Sequence, residues 1–364
     1  MKKKTKVAKK RLNTLLVLLL LTAVLLIMST YAWFTANKQV NVDSIDVNVA
    51  TSNGLQISAD GDTWKTVLTR DDLAGAKVKY PAAANQLPTD MAPVSSALDV
   101  ENNRMKMFFG DVAADLTDPD APTYGEYVLK SLAQTDKDSN GIAEDAGKYA
   151  KGYYVAFDVF IKSNNAAENF YWSGSVNELK DDGTGAKVPI TNPDEERGLA
   201  NASRIALIKG DNTPSESIDT IQALPTNGPV MLWEPNADYH TGRGVENATN
   251  LGWATLNAGA GNVPVKYSGL SAAFADGILL KDATADTNPD KVKEVTPQWT
   301  TSKGETPSMN MKDVPAAVNA GNALSSGVTK FRIYMWIEGQ DVDCENYAAN
   351  SDIEYNVSFS LDPY

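Results

Sequence analysis

Three stretches of this chain repeat apolar side chains with a period of two, the pattern of β-strands. Tyr153, Val155, Phe157, Val159 and Ile161 share one face of the first. Phe331, Ile333, Met335 and Ile337 share one face of the second. Ile353, Tyr355, Val357, Phe359 and Leu361 line the third, opposite Glu354, Asn356, Ser358 and Ser360. A period of two puts every apolar group on one side of a pleat. Apolar-in, polar-out alternation is the requirement of an antiparallel sheet with one solvated face. Shorter strands are expected at residues 170–176 and 203–208. Residues 39–49 also alternate, but the phase slips at Asp43-Ser44. Val40 and Val42 fall on one phase, and Ile45, Val47 and Val49 on the other. Such a slip marks a bulge, or a break between two short strands. Asn53-Gly54 is a hairpin-turn dipeptide, and Asp60-Gly61 before Trp64 is a second turn.

Two regions between the strands are weakly patterned. Residues 65–150 hold loose clusters of Pro, Ala and Asp, with a short helix expected at residues 124–134. Residues 211–325 are rich in Gly, Asn, Thr and Pro, with local helix near residues 314–323. Both read as long surface insertions. No period of about 20–50 residues repeats, which sets aside solenoids and propellers. The expected fold is all-β: a jelly-roll-like antiparallel β-sandwich with long loop insertions and a few short helices. It occupies residues 53–364 as one domain, preceded by an arm or first strand at residues 33–52.

Charge and rare residues exclude several functions. The chain has 33 Lys and Arg, 46 Asp and Glu, one His and one Cys. Residues 1–32 hold seven of the cations and no acid. The remainder carries 26 against 46, a net charge of −20. Nucleic acid is not an expected partner, because phosphate binding needs clustered cations. A single histidine, His240, excludes a two-His zinc site and an HExxH helix within one chain. Cys344 has no intrachain disulfide partner.

The N-terminus reads as an address. A basic run, Lys2 to Arg11, precedes a largely apolar run of fourteen residues from Leu15 to Met28, and Ser29-Thr30-Tyr31-Ala32 supplies a small residue at the cut. This is the layout of a secretory signal peptide at residues 1–32. A retained membrane anchor is the competing reading, since Leu12 to Phe34 is uncharged and long enough to span a bilayer. A pilin-type helix is disfavoured, because no acid occurs before Asp43.

The residues around the cut are more specific. Ser29-Thr30-Tyr31-Ala32-Trp33-Phe34-Thr35, followed by Asn37, Val40 and Val42, resembles the SipW-type signal and mature start of the TasA/camelysin family. The stretch Phe331-Arg332-Ile333-Tyr334-Met335-Trp336-Ile337-Glu338-Gly339 is similar to a late strand of related clostridial surface proteins. The resemblance implies a protein secreted by, or held on the surface of, a Gram-positive, Firmicute-type bacterium. It implies a non-enzymatic fibre subunit of biofilm-matrix type that polymerises by donor-strand complementation. Expected partners are then other copies of the chain and, during export, signal peptidase and the membrane. The metalloprotease activity described for camelysin does not carry over, given one His and no HExxH.

Other candidate sites are weaker. Asp136, Asp138 and Asn140 alternate before Gly141 as in the first half of a calcium loop, and Glu144 with Asp145 can complete it. The EF-hand's twelfth position is Gly147 rather than Glu, so a solvated acidic turn is the competing reading. Calcium is the one cofactor suggested. Glu338, Asp341 and Asp343 crowd the turn after a strand; three carboxylates at this spacing can bind a cation or act as an acid/base pair, but a solvated hairpin end is the commoner outcome. Trp233 and His240 lie in a polar aromatic segment, either a sugar-binding loop or a surface loop anchored by Trp233. Cys344, between Asp343 and Glu345, reads as a buried, inert thiol.

Self-assembly is therefore assigned to Trp33, Phe34, Val40 and Val42, on an arm expected to lack partners in its own subunit. Such an arm can add as a strand to an open sheet edge of the next copy. The alternative is a monomeric cell-surface module whose 211–325 insertion binds a ligand or glycan. Cleavage after Ala32 is expected. Intact-mass analysis of protein from the medium should find Trp33 as the first residue, whereas a membrane-bound mass that includes Leu15 to Met28 would show an anchor.

Overall fold

The computed structural model describes residues 40–50, 54–112 (except 84, 97, 99 and 102), 127–132, 152–192 (except 167–169), 195–234 (except 229), 324–344 (except 340 and 342) and 351–361, with isolated short strands between 268 and 310. The strands begin with β1 (Val40–Val49), β2 (Gln56–Ser58), β3 (Val67–Thr69), β4 (Asp90–Met91), β5 (Val100–Glu101), β6 (Arg104–Met105), β7 (Phe108–Val112) and β8 (Tyr127–Ser131). Next come β9 (Tyr154–Ser163), β10 (Tyr171–Asp181), β11 (Lys187–Pro189), β12 (Ser203–Thr213) and β13 (Val230–Glu234). The last are β14 (Ser268–Leu270), β15 (Ile278–Leu279), β16 (Val292–Glu294), β17 (Trp299–Thr300), β18 (Met309–Asn310), β19 (Gly327–Ile337) and β20 (Asp352–Ser360). Short helices are α1 (Arg70–Gly75), α2 (Leu199–Ala202) and α3 (Ile218–Gln222). The molecule is mostly β, in two principal sheets.

The first sheet runs β11-β10-β20-β1-β3, with β18 and β4 pairing its margins. It is not wholly antiparallel as the alternation suggests. β1 lies parallel to β20, from Asn41 opposite Asp352 to Val49 opposite Phe359. Parallel neighbours need a crossover between them. Here nearly the whole chain is that crossover, because its two end strands lie side by side. The register shifts between Val42 and Ser44. A bulge therefore resolves the phase slip, and one continuous strand buries both sets of valines and Ile45.

The second sheet runs β17-β13-β12-β19-β9-β2. Its inner face meets the first sheet over one core. Val155, Phe157, Val159, Ile161, Phe331, Ile333 and Met335 pack there with Ile45, Val47, Tyr355, Val357 and Phe359. Phe170 and Phe331 stack at 5.4 Å between ring centroids, and Phe170 and Phe359 at 5.6 Å, so one aromatic group spans both sheets. β1 and β2, before and after Asn53-Gly54, do not pair as a hairpin. Gly54 takes φ +71 and the chain crosses there from β1 in the first sheet to β2 in the second. The Asp60-Gly61 turn does form: Asp60 accepts hydrogen bonds from the Asp62 and Thr63 N–H groups.

The outer face of the second sheet is buried too, which corrects the surface reading for the described parts of the two insertions. Val94, Met105 and Met107 pack onto Tyr154, Ala156, Ala206, Tyr334 and Trp336. Tyr80, Ala83 and Ile221 pack onto Phe160 and Val328. Large parts of residues 65–112 are thus a lid over a sheet, and residues 230–234 form β13 within it. The helix expected at 124–134 is replaced by β8, which pairs with β7 and β15. The helix expected near 314–323 lies outside the described residues. Among the described residues no helix is long and apolar enough to cross a membrane.

The lid is pinned by a buried ionic cluster. Asp158 on β9 faces Arg332 on β19 in direct register. Arg332 donates Nε and Nη2 to its carboxylate at 2.6 and 3.0 Å, and Lys330 Nζ stands 3.2 Å away. Lys330 also donates to Tyr80 Oη at 2.7 Å, and Arg332 to the Asn103 carbonyl at 2.8 Å. Tyr80 and Asn103 both belong to the lid. Burial raises the Asp158 pKa, but Arg332 and Lys330 outweigh it and hold the group below its ordinary value. Asp158→Asn should cost about 3–5 kcal/mol in urea unfolding, because two cations stay buried without their partner. The depressed pKa fixes the sign with pH. The contribution is present above the ordinary carboxylate range of about pH 4 and is lost as pH falls below it, so the variant's deficit should shrink in acid.

Candidate functional site

β1 carries the residues nearest the proposed arm, and its own subunit pairs it on both sides. Val40 faces Met91 and Asn41 faces Asp90 on β4. The Asn41 N–H donates to the Ser351 carbonyl at 3.0 Å, and the Val42 N–H to the Thr89 carbonyl at 2.8 Å. Asp46, Val47 and Asn48 pair with β3 further along. Arg70, in the first turn of α1, clamps this margin. It donates Nη1 to the Val42 carbonyl, and Nη2 to the carbonyls of Leu87 and Pro88 at 2.8 and 2.7 Å. Thr69 and Asp72 form the capping box that starts α1, and Leu73 buries its inner side. The helix end that holds Arg70 is therefore fixed locally.

This arrangement corrects one expectation. Val40 is 1% exposed and Val42 3%, both inside the shared core. They are not apolar groups awaiting a neighbour. The bulge at Asp43 is the cause, because it returns the upstream phase to the core side. Trp33 and Phe34 lie outside the described residues, so the arm is narrowed to residues 33–39.

The outer face of the first sheet is polar and cross-linked by amides. Asn41 donates to Asp352 at 3.0 Å, Asn48 to Asn356 at 2.8 Å and Asn177 to Glu354 at 2.7 Å. Lys187 pairs with Asp352 at 2.8 Å. Partial burial, and then the neighbouring Glu354 charge, raise the Asp46 pKa.

The remaining candidates divide. Asp136, Asp138, Asn140 and Glu144 lie outside the described residues, as does His240. Among the described residues no group of three His, Cys, Asp or Glu is placed to hold a metal ion. Glu338, Asp341 and Asp343 are buried, not the solvated hairpin end their sequence suggests. For Glu338 the reason is the lid: the Val94 N–H bonds the Ile337 carbonyl, and the Gly339 N–H bonds the Val94 carbonyl. Ser95 and Trp336 Nε1 then donate to the Glu338 carboxylate, and Arg204 pairs with Asp341 at 2.7 Å. Trp233 belongs to the core through β13 rather than to a surface loop. Cys344 is buried, as its setting suggested.

Two polar groups escaped the sequence reading. Lys330 and Arg332 alternate with apolar residues and look like a solvated strand face. Only the charge at Asp158, inside an apolar run, hinted at a buried partner. Glu178 on β10 is buried and accepts the Arg197 and Ala200 N–H groups at 2.7 and 3.1 Å, which anchors the start of α2. No family model, curated protein or solved structure matches the chain.

Val40→Asp combined with Val42→Asp should lower the denaturation midpoint sharply. Two valine side chains carry about 1.5–3 kcal/mol each, and a buried carboxylate adds a desolvation cost. A melt identical to the parent's would place these side chains in solvent instead.

Proposed function

We propose that the chain is an exported structural subunit of an extracellular or cell-surface fibre, with no enzymatic role. In this reading the two sheets are an elaborated jelly roll, and residues 33–39 of one subunit add as a strand to the next. The observation that carries it is where β1 begins. Val40 is already paired with Met91 on β4 and Asn41 opens the ladder with β20, shortly after a Trp33-Phe34 start of the TasA/camelysin type. With both sides of β1 taken, an upstream extended segment has reason to pair with another copy. A head-to-tail contact of this kind does not close on itself, so it builds a filament.

The test compares three chains: one starting at Trp33, one lacking residues 33–39 and one lacking residues 33–42. The first should form fibres in negative stain. The second should stay monomeric by size exclusion with an unchanged melting curve. The third should lose about 3–6 kcal/mol of stability, the worth of two buried valines. Fibres from the second chain, matching the first, would remove the arm from the mechanism.

A further inference from the structure

The lid over the second sheet is fastened in two chemically different ways. Backbone bonds hold one part of it. Gln86 and Ala156 exchange bonds at 2.6 and 2.9 Å, the Ala92 N–H bonds the Gly152 carbonyl at 2.9 Å, and Val94 is tied to Ile337 and Gly339. Beyond Val94 the chain makes a short hairpin, β5 to β6, whose tip is held differently. The Asn103 carbonyl accepts Arg332 Nη1 at 2.8 Å, and the Met105 N–H bonds the Tyr334 hydroxyl at 3.2 Å. Met105 and the half-buried Leu98 supply its apolar hold on the sheet. The hairpin is also strained. Leu98 and Asn103 both take left-handed backbone angles, φ +62 and +61, and leucine is disfavoured there. Val100 and Asn103 are exposed, so the outer side of the hairpin meets solvent.

Beside that tip lie the buried charges of Asp158, Lys330 and Arg332. The groups bonded to them from other elements are neutral. The Tyr80 hydroxyl donates to Asp158 at 3.2 Å and to the Gln222 carbonyl at 3.1 Å, and the Asn85 side-chain oxygen accepts the Asp158 N–H at 3.2 Å. Burial pushes the Tyr80 and Tyr334 hydroxyls up, so both keep their protons. Arg104, on the hairpin itself, adds positive charge near Tyr334. Asp158 is thus the carboxylate that balances two buried cations. Burial works against its charge, but Arg332 and Lys330 outweigh it and keep the group ionised below its ordinary range. Once it takes a proton, the two cations stay desolvated side by side, which is strongly unfavourable. The inner face of β9 and β19 is closed against the first sheet by Phe157, Val159, Phe331 and Ile333, so water has to come from the outer side. On one flank Tyr80, Ala83 and Ile221 pack on Phe160 and Val328. On the other stands the strained hairpin, which is the part that can yield.

We propose that residues 98–105 are an acid-opened flap: a proton on Asp158 releases the hairpin from Arg332 and Tyr334, while the two sheets and the backbone-held part of the lid stay in place. The inference goes beyond the fibre reading and does not rest on it. In the open flap Asp158 is hydrated and titrates near its ordinary value of about pH 4, above the value it has when the flap is closed. Opening therefore takes up a proton below about pH 4, and its equilibrium constant should rise about tenfold for each pH unit. Between about pH 5 and 7 it should be flat.

Hydrogen exchange read by mass spectrometry on the full chain, corrected for the intrinsic pH dependence of amide exchange, measures this opening. Peptides over residues 98–105 should lose protection with that slope, while peptides over β9 and β19 keep theirs. Asp158→Asn should bring flap exchange at neutral pH to the level that the parent reaches in acid. A triple variant, Asp158→Leu with Lys330→Met and Arg332→Met, removes the three charges together. It keeps the test decisive if the single variant fails to fold, because apolar groups of similar size replace a buried ionic group without loss. Its flap exchange should be independent of pH. A flat parent profile, a triple variant that keeps the parent's slope, or β9 and β19 losing protection together with the flap overturns the proposal.

Discussion

The parallel pairing of β1 with β20 is the contact on which the rest of the molecule depends. It joins the first and last of the described strands in the middle of one sheet. Ile45 and Val47 from one strand and Tyr355, Val357 and Phe359 from the other form one side of the core. Tyr355 also reaches across it, with its hydroxyl 3.3 Å from Ser203 Oγ and 3.4 Å from the Trp336 carbonyl. A pairing this distant in sequence is costly to close, since loop entropy must be lost before any contact forms. The sheet that holds it is consequently completed only when the last strand is in place.

The second sheet poses a different physical problem, because it is covered on both faces. Asp158, Lys330, Arg332, Arg204 and Glu338 are all buried on or beside it. Buried charge is tolerated only where each group finds partners. The lid supplies several of them: the Tyr80 hydroxyl, the Asn103 carbonyl and the Ser95 hydroxyl. Lys330 also sits 5.3 Å from the Tyr80 ring centroid and 5.7 Å from that of Phe160, which favours its charge in a dry setting. Polar specificity thus does what a plain apolar contact would not: it fixes one position of the lid on the sheet.

The strands were legible in the sequence wherever a single face is buried. β20 keeps its alternation of buried and half-exposed residues along its length, as Ile353 to Phe359 indicated. β9 and β19 were located from one face, but their second faces were misread. Ala156, Asp158, Lys330 and Arg332 look like solvent positions until the lid is known, and nothing local in residues 65–112 announces that they fold over a sheet. The same blindness explains Glu338, whose burial comes from Val94 and Ser95, far away in sequence. The phase slip at Asp43 was visible, but its two outcomes, bulge or break, differ only in tertiary pairing. The break reading left Val40 and Val42 free, whereas the bulge buries them. Trp33, Phe34 and the 136–144 acidic loop lie outside the described residues, so for them the sequence remains the sole guide.

The direction of the β1–β20 pair has a mechanical meaning. Parallel neighbours start at the same end of the sheet, so Asn41 and Phe359 lie at opposite ends of the ladder. A pull between the upstream arm and the C-terminal end therefore drags the two strands past each other along their length. Every rung between Asn41 and Val49 is then loaded at once, in shear, rather than opened one at a time like a zipper. The inward side chains, interdigitated with the second sheet, resist the same sliding. The fold accordingly carries tension between the start of β1 and the end of β20 through a ladder of eight paired residues.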